Sequence, residues 1–110
     1  MNDRQKLERL GQISGLLLDS KLLAVERAAR ARQHSLDLLA ELNLPSAPTD
    51  LPPILSGEVT MRYELWADQR RSELNLVLAR QSVEWADAQQ QAAQAFGRNQ
   101  VVRKLENRHK

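Results

Sequence analysis

The sequence predicts an all-α protein, a long antiparallel two-helix coiled-coil hairpin with a proline-rich connecting loop. Three observations carry this. The 110 residues include 19 Leu and 13 Ala against four Gly and four aromatic residues, a composition that favours helices over strands. All four prolines lie between positions 45 and 53. Proline lacks an amide hydrogen and clashes with the preceding turn, so this cluster is the one clear break in the chain. The proline-free segments on either side each carry apolar residues at steps of three and four, as one face of a helix requires.

Helix one is expected over about residues 3–43. Asn2 or Asp3 provides a side-chain oxygen for the first free amides. The apolar stripe reads Leu7, Leu10, Leu17, Leu18, Leu22, Val25, Ala29, Leu36 and Leu39. Leu7, Leu18, Ala29 and Ala40 recur every 11 residues. A period of 11 lies close to the natural helical repeat and predicts weak supercoiling. Gly11 and Gly15 predict either fraying or a tight helix contact.

Residues 44–55 form the predicted loop. Helix two is expected over about 56–106, with Asp50 or Ser56 as candidate caps and a possible break at Gly97. Pro52 and Pro53 would sit harmlessly in a first turn. The stripe here reads Val59, Tyr63, Trp66, Leu74, Val77, Trp85, Ala88, Ala92, Phe96 and Val102, interrupted by Arg70 and Gln81. A 40-residue helix is roughly 60 Å long. Two such rods joined by one loop must lie side by side. Leucines beside the main stripes, such as Leu16, Leu23 and Leu65, suggest a further buried surface, against a partner or a second copy. The competing architecture is a three- or four-helix bundle broken at the glycines.

The chemistry of catalysis is absent from the motifs. There is no Cys, so thiolate sites and disulfides are excluded. His34 and His109 form no metal-spaced pair, and Gly11 and Gly15 lack the Gly-Lys-Ser/Thr ending of a phosphate loop. Glu84 and Asp87 lie on one helical face with no apolar pocket to perturb them. No enzyme activity, cofactor or metal is expected. Apolar runs are far shorter than the ~20 residues that span a bilayer. With no apolar leader at Met1, the expected compartment is the cytoplasm.

The candidate residues are therefore binding residues. The overall charge is +2, but Arg98, Arg103, Lys104, Arg108 and Lys110 face Glu106 alone in the last 13 positions. This basic, amphipathic tail is a candidate for docking on an acidic groove. Tyr63 and Trp66, with Arg70 and Arg71 one turn on, have the residue types of an interface anchor. Arg70 could pair across the hairpin with Asp19, Asp37 or Glu41. Arg27, Arg30 and Arg32 form a second basic patch, but no aromatic residue nearby stacks bases, so nucleic-acid binding is the weaker use of either patch.

The pattern Tyr63-Glu64-Leu65-Trp66-x-x-x-Arg70-Arg71, then Trp85-Ala86-x-Ala88 with Gln-rich helix, then Phe96-Gly97-Arg98 resembles the FliJ/YscO family of flagellar and type III secretion proteins. The resemblance implies a stalk or chaperone escort whose paired ends, near Leu7 and from Arg98 to Arg108, approach an export ATPase ring, with an export gate as a further contact. The alternatives are a scaffold or regulatory protein that dimerises into a four-helix bundle, and a nucleic-acid binder that uses the basic tail.

Overall fold

The computed structural model describes residues 2–44 and 52–109. It contains two helices, α1 (Asp3–Leu42) and α2 (Pro53–Arg108), packed antiparallel in a rod of 83 × 21 × 18 Å. The predicted fold class is the observed one, a helical hairpin. Most of the proline-rich connection, with the Asp50 cap, lies outside the described residues.

The start of α1 is fixed by a reciprocal cap. Asn2 accepts from the Gln5 amide at 2.8 Å, and the Gln5 side chain accepts from the Asn2 amide at 3.1 Å. This satisfies two amides that the first turn would otherwise leave free. α1 ends at Leu42, with Asn43 as its C-cap. α2 begins at Pro53, whose missing amide costs nothing at a first helical position, so Ser56 lies inside the first turn and is not the cap. The helix then passes through Gly97 without a break. The glycine's lower helix propensity, worth roughly 1 kcal/mol, is outweighed by the intact turns on both sides. α1 is likewise continuous through Gly11 and Gly15.

The seam coincides with the hydropathy stripes only in part: Leu7, Leu18, Val25 and Leu39 of the first and Leu74, Trp85, Ala88, Ala92 and Val102 of the second lie on it. In α1 the buried and half-buried positions include Leu7, Gly11, Ser14, Leu18, Lys21, Val25, Ala28, Arg32, Ser35, Leu39 and Leu42. In α2 they include Ala67, Arg71, Leu74, Leu78, Gln81, Trp85, Ala88, Ala92, Ala95, Asn99, Val102 and Glu106. Both series step alternately by four and three. That is a strict seven-residue repeat, the period of a left-handed coiled coil, and it replaces the expected 11-residue pattern. Polar and small side chains hold much of the seam, so leucine spacing does not reveal it. With the heptad lettered so that Gly11 and Arg71 occupy a, Leu10 and Leu17 fall at g and Leu22 at e. All three are exposed on the flanks. Val59, Trp66 and Phe96, placed on the second stripe, are exposed as well.

The two helices differ in length, and the difference lies at one end. At 1.5 Å per residue α2 is about 84 Å long and α1 about 60 Å. Gly11 lies against Glu106, so the free ends are flush. Leu42 lies against Arg71, whose guanidinium reaches its carbonyl at 3.0 Å. The start of α2 therefore projects beyond α1. From Pro53 to Trp66 every residue but Ser56 is exposed, including Ile54 at 80%.

Candidate interaction surfaces

The seam is held by packing and by hydrogen bonds, some between neutral side chains and some donated by arginine. Near the connection, Leu42, Ala67 and Leu74 form a small core with Leu38 and Leu39 against it. Further along, Ser35 donates to Gln81 Oε1 at 2.6 Å. The Arg32 guanidinium lies 5.2 Å from the Trp85 ring centroid and donates through Nε to Ser82 at 3.0 Å. Near the free end, Asn99 Nδ2 donates to Ser14 Oγ at 2.9 Å, and Arg103 Nε donates to Asn99 Oδ1 at 3.0 Å. Among the described residues no buried side-chain polar atom lacks a partner. The ion pairs, such as Arg4–Glu8 and Arg80–Glu84, run along single helices and are exposed, so they add little to the pairing of α1 with α2.

The nine candidate binding residues separate into two places at opposite ends of the rod. At the connection end, Tyr63 and Trp66 lie 5.8 Å apart between ring centroids. They line a depression of about 330 Å³ with Leu38, Leu42 and Arg70. Trp66 is 54% exposed, so it is a surface residue and not core. Arg70 pairs with Glu73 on its own helix at 3.3 Å, not with Asp19, Asp37 or Glu41 across the hairpin. It projects from the g flank, where the next turn is its nearest neighbour. Arg71, at a, is the arginine that crosses. It donates to Leu42 O and to Asn43 Oδ1, capping the carboxyl end of α1. Its role here is structural.

At the free end, Leu7 is half-buried on the seam, beside Arg4, Glu8 and Glu106. Arg103, Lys104 and Arg108 are all exposed, and Arg103 alone of the three is tied to the seam, through its hydrogen bond to Asn99. Arg98 lines a groove of about 780 Å³ between the helices, whose other walls include Leu10, Ile13, Leu17, Val101 and Leu105. Sequence reasoning missed this groove. Its walls alternate between c and g positions, a pattern visible only once the seam is known.

Among the described residues no group of three His, Cys, Asp or Glu side chains could hold a metal ion. No described helix is long and apolar enough to cross a membrane. Compared with family models, curated proteins and solved structures, the chain matches none.

Proposed function

We propose that this chain is a non-enzymatic, cytoplasmic interaction protein that works as a rod, in the manner of a stalk or escort of a flagellar or type III export ATPase. The observation that carries the reading is the difference between the rod's two ends. One is flush, basic and grooved. At the other, α2 runs on beyond the end of α1, with an exposed aromatic pair where the overhang begins. A rod some 80 Å long holds two such surfaces too far apart for one small partner, so it suits a connector between large ones. The free end, with Leu7, Arg98, Lys104 and Arg108, is the end that would meet the ATPase ring, and an export gate would be a further partner.

The test is capture of a hexameric export ATPase by the full chain. Capture is expected, and it should be lost on removing residues 98–110 or on Leu7→Glu. No capture of any such ATPase would discard the export reading. The nucleic-acid alternative predicts binding that strengthens as salt falls. The expected result is no binding to DNA or RNA at low salt.

A further inference from the structure

We infer that two copies of this chain pair along one flank of the rod, antiparallel, about a two-fold axis that passes beside Ala24 and Gln91. The inference stands on its own geometry and holds whether or not the rod meets an ATPase.

The c and g positions of both helices lie on this flank. At the free end they form the groove, with Leu10, Ile13 and Leu17 on α1 facing Arg98, Val101 and Leu105 on α2. Towards the connection, Leu38 and Glu41 continue the line on α1, beside Arg70 on α2. The g positions of α1 are apolar from Leu10 through Leu17, Ala24 and Ala31 to Leu38, large at the ends and small in the middle. Apolar g positions beside the contact seam belong to a helix with a second packing partner.

An antiparallel two-fold sets each residue opposite one that lies equally far beyond the axis. About Ala24, Leu10 meets Leu38 of the second copy, Leu17 meets Ala31, and Lys6 meets Glu41. About Gln91, Leu105 meets Val77, Arg98 meets Glu84, and Arg108 meets Glu73. No two c or g residues that face each other in this way carry like charge. The two centres also coincide. Lys21, one turn before Ala24, donates to Gln91 at 2.8 Å, so Ala24 and Gln91 occupy one level of the rod. Each helix selects the same axis independently.

The residues on the axis meet their own copies, and both suit that position. Ala24 lets two helices come close. Gln91 carries a donor and an acceptor, so two can pair. Rods paired in parallel, free end beside free end, would instead set α1 of one copy against α2 of the other at equal levels. Lys6 would then lie beside Arg108, and Glu41 beside Glu73, of the second copy, so charge selects the antiparallel pair. The axis lies near the middle of α1, so the two copies of α1 overlap along nearly their whole length. The overhang of α2 lies outside the contact at each end. Such an isologous pair closes and leaves no second copy of the flank free to propagate a fibre.

The sequence contains no cysteine, so cross-links report the register directly. Under mild oxidation, Ala24→Cys protein should link to itself, whereas Val77→Cys and Leu105→Cys proteins should link only when mixed. Sedimentation equilibrium of the unmodified chain should give twice the 12.5 kDa monomer mass. Glu84→Arg and Arg98→Glu should each weaken the dimer by about tenfold or more, and the double exchange should restore it, with helicity unchanged throughout. A concentration-independent monomer mass overturns the proposal. So do 77–77 or 105–105 links from the single variants, or a double exchange as weak as either change alone.

Discussion

Asn99 on α2 donates a 2.9 Å hydrogen bond to Ser14 on α1, both buried, across 85 residues of chain. Ser14 in turn donates a hydrogen bond to the Gly11 carbonyl at 3.2 Å, and Asn99 accepts from Arg103. A polar pair on an otherwise small-residue stretch favours one register over its neighbours, because a slip leaves both groups unpaired. We predict that Asn99→Ala costs about 1–2 kcal/mol, the usual penalty for stranding partners. The double change Ser14→Ala, Asn99→Leu should recover most of it. Thermal melts followed by circular dichroism check this, and strict additivity of the two single changes would count against the coupling.

Arg32 and Trp85 stack in the centre of the rod. A guanidinium plane both stacks on the indole and keeps Nε for Ser82, which an ammonium cannot do. Arg32→Lys is therefore predicted to cost about 0.5–1 kcal/mol. In a Trp66→Phe background, Arg32→Ala should also shift Trp85 emission to longer wavelength as water reaches the ring. An unchanged spectrum would show that the stack is absent in solution.

Gly97 and Gly11 differ in what a methyl group would meet. Nothing lies within 4 Å of a Cβ at Gly97, and the helix runs straight through it. Gly97→Ala is expected to stabilise the chain by about 0.5–1 kcal/mol. At Gly11 a Cβ would fall 1.8 Å from Glu106 Oε1, so that carboxylate must swing aside. Gly11→Ala should gain less, and adding Glu106→Ala should restore the difference. A lower melting temperature for Gly97→Ala would contradict a continuous α2.

Arg71 and Arg70 are adjacent but unequal. Arg71→Met removes donors from Leu42 O, Asn43 and Asp68 and is expected to cost about 1–2 kcal/mol. Amide exchange in the last turn of α1 should speed up with it. Arg70→Met loses one exposed ion pair and should stay within about 0.5 kcal/mol. Equal effects in a hydrogen-exchange comparison would refute the capping role of Arg71.

Composition and the proline cluster are enough to dictate an all-α chain that turns back once. Leucine and alanine favour helix wherever they stand, and prolines break it wherever they cluster, so both signals are local. Tertiary structure decided the seam. Ser14, Arg32, Ser35, Gln81 and Asn99 carry no hydropathy signal, yet they lie on the contact line because each finds a partner on the opposite helix. Leu10, Leu17, Val59 and Trp66 carry a strong signal and lie outside it. The register between helices then fixed the rest. Pairing Leu42 with Arg71, instead of matching the helices from the connection inward, leaves Pro53–Trp66 beyond the end of α1 and sets Leu10 and Leu17 beside Val101 and Leu105. No single residue's propensity encodes such a register, because it depends on how two faces of small and polar side chains fit together.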